Sequence, residues 1–162
     1  MTHFLRFGGL LAALLISANV YAGDIQIENA WTRATAPGQE AAGVDMTITS
    51  HQAAMLVGVS SPAAKTVELH RMTTEDGMMR MREVKSIELP AGKIFRLGKN
   101  GYHLMLNGLK APLKEGESVP LTLSIRLGTQ RVVKFATSAT VKSLTETRAS
   151  SHDDDHEQMK MH

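Results

Sequence analysis

Two imidazoles and two thioethers fall within one stretch of this chain: His70, Met81 after ten intervening residues, His103 after another twenty-one, and Met105 two positions beyond it. Imidazole suits copper, zinc, nickel and iron, whereas a thioether is a soft, neutral ligand that adds affinity chiefly for a soft ion, above all Cu(I). The combination points to copper. Taken singly, none of the four carries much meaning. A His on a strand is ordinarily a surface or hydrogen-bonded residue, and Met commonly fills irregular cores. Their grouping is what calls for an explanation.

The elements that must position these side chains can be read from alternation. In Tyr102-His103-Leu104-Met105-Leu106 an extended strand puts Tyr102, Leu104 and Leu106 on one face and His103 and Met105 on the other. The two candidate ligands then stand about 7 Å apart at their Cα atoms, from a rise of about 3.3 Å per residue. In Thr66-Val67-Glu68-Leu69-His70 the same alternation turns Val67 and Leu69 inward and His70 outward. Glu75-Asp76-Gly77 is a turn signal, so Met78-Met79-Arg80-Met81-Arg82 should fold back as the second strand of a hairpin beside His70. Met72, Met78 and Met79 lie close enough in sequence to wall the site or to offer a transient ligand.

The spacing His-x10-Met-x21-His-x-Met, met here at His70, Met81, His103 and Met105, resembles without a gap that of the periplasmic copper chaperone family PCu(A)C. The flanks are similar too, among them Ala30-Trp31-Thr32-Arg33-Ala34, Ser60-Ser61-Pro62-Ala63-Ala64, Leu89-Pro90-Ala91-Gly92 and Leu113-Lys114-Glu115-Gly116. The resemblance spans roughly residues 25 to 138. It implies a cupredoxin-like sandwich and a Cu(I) ion held by those four side chains. It further implies delivery towards the CuA centre of cytochrome c oxidase, with subunit II or a Sco-type thioredoxin-like protein as recipient.

Length and composition agree with a small exported carrier. The 162 residues suit one domain. A formal net charge of +2 with scattered basic residues does not mark a nucleic-acid surface. Residues 1–22 read as a secretory signal peptide: Arg6, an apolar run from Phe7 to Ile16, then small residues up to Val20-Tyr21-Ala22. That run is shorter than the roughly 20 residues a membrane-spanning helix needs, so cleavage and a periplasmic protein without membrane insertion are expected. The chain has no Cys. In an oxidising compartment thiols tend to be captured as disulfides, while thioethers remain usable soft ligands, so Met and His are a sensible choice for Cu(I) there. The missing Cys also excludes a blue-copper electron carrier, whose ligand set includes a thiolate. No catalytic triad spacing or carboxylate pair stands out, and an enzyme is not expected.

From Asp24 onward the pattern is one of short strands: 24–28, 43–49, 54–60, 66–72, 79–85, 93–97, 102–106, 119–127 and 130–137, punctuated by Gly and Pro turn signals. No helical stripe appears. The fold class expected is all-β, a cupredoxin-like or immunoglobulin-like antiparallel Greek-key β-sandwich over residues 23–144. Trp31 reads as a core or edge aromatic, and His51 with Met55 as surface or structural residues. Residues 145–162 change character: His152, His156, Met159, Met161 and His162 are interspersed with Asp and Glu and form no apolar face. This segment reads as a disordered tail able to collect Cu(II) through imidazole and carboxylate. Two other functions fit parts of the sequence: a metal-free adhesion or assembly domain, and a copper storage and tolerance protein with no dedicated recipient.

Overall fold

The computed structural model describes residues 23–99 and 101–145. The predicted signal segment 1–22 and the tail ligands His152, His156, Met159, Met161 and His162 lie outside the described residues.

Alternation writes the architecture. In the strands Ala41–Ser50 (β2) and Ser118–Leu127 (β9) every second residue is buried, and each strand therefore offers one apolar face. Each large aliphatic side chain so buried contributes about 1.5–3 kcal/mol of transfer free energy. The other strands are Ile25–Arg33 (β1), Ala54–Ser60 (β3), Ala64–Glu75 (β4), Met78–Glu83 (β5), Ile87–Leu89 (β6), Ile94–Leu97 (β7), Tyr102–Leu109 (β8) and Arg131–Lys142 (β10). Hydrogen bonding links them in the order β5-β4-β8-β2-β1-β10-β9-β3-β6, with β7 on β2. The ladder folds over so that Val44, Ile48, Leu69, Leu104 and Leu106 from one half share a single core with Leu56, Leu121, Leu123, Ile125 and Val141 from the other. The result is the all-β sandwich that the strand pattern predicts.

The two halves are joined by β1. It pairs antiparallel with β2 from Ile25 to Glu28 and again at Trp31 and Thr32, and parallel with β10 from Trp31 to Arg33. A register shift separates the two stretches on β2, where Asn29 takes a positive φ of 52°. Asn tolerates that left-handed region better than most residues. The irregularity lets one strand serve both halves. Sequence reading missed this continuation of β1 through Trp31, and also β6, whose three residues are too few to establish a period. β10 runs five residues past its predicted end at Thr137, to Lys142.

Candidate metal centre

His103 and Met105 lie on β8, flanked by Leu104 and Leu106, which have no solvent exposure. Tyr102 packs its ring against Phe95 at 5.5 Å on that same inner side. With the apolar side chains anchored, His103 and Met105 have to point outward. On β4 Leu69 is buried in the same way, which turns His70 to the outer face. The alternation expected for both strands is therefore what the structure contains.

Register then brings the residues together. His70 pairs with His103 across β4 and β8, and Met105 pairs with Glu68 one step further along. Directly opposed residues of an antiparallel pair share a face, with Cα atoms about 4.5–5.5 Å apart, and diagonal neighbours lie about 7–8 Å apart. On its other side β4 pairs with β5, Met72 facing Met81 and His70 facing Glu83. Met81 is thus diagonal to His70 on one side, and Met105 is diagonal to it on the other. His70 is the one member of the group adjacent to all the others. An ion bound at one of its ring nitrogens would share this face with His103 and with both long, flexible thioethers.

The hairpin that delivers Met81 turns at Asp76 and Gly77, both with positive φ, 52° and 76°. That is the signature of a two-residue turn whose twist matches the strands it joins. Behind it, Arg82 donates from Nε and Nη2 to the two oxygens of Glu75, at 2.7 and 2.6 Å. The paired guanidinium holds the Glu75 carboxyl below its ordinary range. This clasp lies on the face opposite Met72, Met79 and Met81, because Glu75 pairs with Met78 and Arg82 with Arg71.

Exposure is graded across the group. The His70 side chain is 19% exposed, His103 and Met105 are half-buried, and Met81 is 47% exposed. The group therefore sits at the solvent-facing surface and outside the core, as an exchangeable site requires.

Two carboxylates lie beside it that the sequence reading did not single out. Glu68 lies 2.9 Å from His70 Nε2, and this hydrogen bond is the main reason its carboxyl is held below the ordinary value. His70 Nδ1 is buried without a partner. One ring nitrogen is thus held by a carboxylate while the other has no hydrogen-bond partner, and an outer carboxylate of this kind sets the orientation and basicity of a ligating His. Glu68 had a legible signal in the sequence, since position i−2 of a strand shares the face of residue i. Asp45 had none. It reaches the site through β2, one pairing step beyond Val44↔Leu104. Burial pushes its carboxyl above the ordinary value, while the charges of His103, Arg33, Lys99 and Lys142 oppose that rise.

Asp45 helps to line a cleft of about 500 Å³ together with Trp31, Arg33, Gly43, His103 and Met105. Trp31 pairs with Asp45 across β1 and β2, and the Lys142 ammonium sits over its ring at 4.7 Å. The indole, expected only to fix the first strand, also walls the cleft beside the candidate ligands. Gly43 faces Met105, whose sulfur is 3.8 Å from where a Cβ would stand, so nothing larger covers the thioether from this side. His51 is exposed and hydrogen-bonds only through its backbone to Asp24, and Met55 accepts a bond from Arg126 at 3.5 Å. The structure does not bring these two into the group.

Among the described residues no three or more His, Cys, Asp and Glu side chains converge as a metal-binding group. The thioethers of Met81 and Met105 beside the two imidazoles make this a donor set that favours a soft ion.

Comparison with known proteins agrees with this architecture. The family model described as LpqE-like matches residues 25–137. A Leifsonia xyli subsp. xyli protein named "Putative lipoprotein Lxx21020" is 40% identical over 103 residues, 63% of this chain and 62% of the relative, so the chain matches less than two thirds of that protein's length. Apo-DR1885 of Deinococcus radiodurans, known from a solution structure, is 32% identical, with a TM-score of 0.56 over 90% of this chain and 99% of that one. Its Cu(I) form aligns at 34% identity and a TM-score of 0.54, over 78% of this chain and 85% of that one. The apo PCuAC domain of PmoF1 shares the fold at a TM-score of 0.60 and 20% identity, over 75% of this chain and 95% of that domain. With its strand order, its sandwich core and these matches, the chain belongs to the LpqE-like, or PCu(A)C, family.

Proposed function

We propose that this protein is an exported copper chaperone. It carries one tightly held Cu(I) at His70, His103, Met105 and Met81 and passes the ion on by ligand exchange. The observation that carries the reading is the placement of His70: an imidazole directly opposite it and a thioether on each diagonal, all on one outward face. Neutral thioethers suit a cargo ion, since they bind a soft metal without a proton to displace and release it to a better ligand set. The surface position leaves room for a second protein's ligands to approach. Glu68 orients the His70 ring, and Asp45 supplies a negative charge beside His103.

Two relatives support the choice of metal, one described as Cu(I)-DR1885 and the other as the copper-bound PCuAC domain of PmoF2. The recipient fitting this reading is the CuA centre of cytochrome c oxidase, on subunit II, reached directly or with a Sco-type protein. The compartment is the periplasm, entered through the signal segment 1–22. Catalysis has no part in it. Beyond Thr145, the tail with His152, His156, Met159, Met161 and His162 collects Cu(II) and raises the local copper concentration beside the folded site.

Anaerobic titration of Cu(I) against a competing chelator tests the proposal, with Ag(I) as a redox-silent substitute. One tight equivalent, lost in His70→Ala and His103→Ala, is expected. Substoichiometric binding after dialysis would leave a metal-free domain instead. Stopping the chain after residue 145 should lower Cu(II) capacity and leave the tight Cu(I) equivalent in place.

A further inference from the structure

The β4–β5 hairpin carries more soft ligands than the copper site uses. Met72 faces Met81 and Thr74 faces Met79, so Met72, Met79 and Met81 share the outer face with His70. By strand geometry Met72 and Met81 are about 4.5–5.5 Å apart at their Cα atoms, and Met72 and Met79 about 7–8 Å. Met72 is half-buried, while Met79 is 70% and Met81 47% exposed.

The cations of the hairpin do not interfere. Arg71, Arg80 and Arg82 are paired, respectively, with Arg82, Thr73 and Arg71, which puts all three on the opposite face. There Arg80 and Arg82 are drawn to Glu75, at 3.7 and 2.6 Å. The Met face near the turn is therefore neutral, with Glu83 beside His70 as its charged neighbour on β5.

We propose that Met72, Met79 and Met81 form a second, weaker position for a soft monovalent ion at the hairpin end of this face, and that Cu(I) enters and leaves the His70 site through it. The inference rests on the copper reading above. Met81 belongs to both groups, because it opposes Met72 and is diagonal to His70. An ion can exchange its imidazoles for the thioethers of Met72 and Met79 while Met81 stays bound, so no fully unliganded ion has to form. Two of these three thioethers are exposed and lose side-chain freedom when they bind, so the position is weaker than one built on two anchored imidazoles, as an exit position requires. Met79, the most exposed of the three, is the first that a partner's ligand would meet.

The test uses the secreted chain from Gly23 onward, with methionine methyl groups labelled with 13C and Ag(I) as the probe. The first equivalent should shift the methyl signals of Met105 and Met81, and a second, weaker one those of Met72 and Met79 together with a further shift of Met81, which the two positions share. Met159 and Met161 of the tail give their own signals and are counted apart. In the Met72→Leu/Met79→Leu variant the second step should vanish, the first should keep its affinity, and transfer of bound Cu(I) to bathocuproine disulfonate should slow. Leu nearly conserves volume, so the fold is retained. Methyl signals of Met72 and Met79 that stay still throughout would overturn the second position, and a transfer rate unchanged in the double variant would overturn its role as the route; both outcomes leave the first position intact. Failure of the first equivalent to shift Met105 would overturn the copper reading itself.

Discussion

His70 and His103 stand directly opposite one another across β4 and β8, and both project from strands whose intervening residues, Leu69 and Leu104, are sealed in the core. The pair is therefore rigid at its base and open at its tip. A two-coordinate or three-coordinate soft ion needs little more than this opposition, and the thioethers on either diagonal supply the rest.

The centrality of His70 makes a ranking. On the proposed site, removing it should damage Cu(I) binding more than removing either thioether, since His70 alone of the four neighbours every other candidate ligand. His70→Ala is expected to bind at least about tenfold more weakly than Met81→Leu or Met105→Leu, a difference of about 1.4 kcal/mol. Chelator competition under anaerobic conditions measures all three, and equal losses would show that the ion is centred elsewhere.

Glu68 meets the His70 ring at 2.9 Å, so at the proposed site it would act on the metal through that ring. Glu68→Gln keeps an acceptor but loses the charge that raises imidazole basicity. Outer carboxylates of this kind are worth about 10–100-fold in metal affinity, and a loss in that range is expected. An unchanged Cu(I) affinity in the variant would mean that the Glu68 contact is released when the ion binds.

Gly98 closes the connection from β7 to β8 with its N–H donating to the Tyr102 carbonyl at 2.7 Å, at a φ of 95°. A Cβ there would collide with the Asp45 carboxylate. Gly98→Ala should cost about 1–3 kcal/mol from backbone strain, with a further loss from the displaced Asp45. Urea denaturation of Gly98→Ala, Asp45→Ala and the double variant separates the two contributions, because removing the Asp45 carboxylate relieves only the collision. Additive losses would show that Asp45 moves aside freely.

Acid should loosen the hairpin before it affects the core. The Glu75 carboxyl is held below its ordinary 4.5 by Arg82. Its ionised form is the one the folded hairpin favours, so the stabilisation is complete above that value and is lost as pH falls through the lower folded one. The protection of the Met78–Glu83 amides against hydrogen exchange, relative to an unstructured chain at the same pH and followed from neutral pH to below 4, should fall in that acid window. In Glu75→Gln the same segment should exchange fast at every pH. Protection in the wild type that persists to the lowest pH would assign the ordering of the hairpin to its turn alone.

Much of this molecule is legible one residue at a time. Alternation of apolar and polar residues placed Leu104 and Leu106 inward and His103 and Met105 outward, because side chains on a strand alternate with a period of two whatever the strand pairs with. Asp76-Gly77 specified its turn for the same local reason: few residues other than Gly and Asn or Asp take positive φ cheaply. The spacing of His70, Met81, His103 and Met105 was likewise visible without any coordinates. Pairing was not. That His70 opposes His103, that Met81 sits on a diagonal with Met72 as its partner, and that Glu68 and not Glu83 grips the ring are matters of register between strands. The meeting of Asp45 and Trp31 with the site lies further still from sequence, since it needs β1 to bend at Asn29 and β2 to lie against β8. Local conformational preference acts within a few residues and can be read along the chain. Register follows from which apolar faces fit into one common core, and that is settled only when all the strands are packed together.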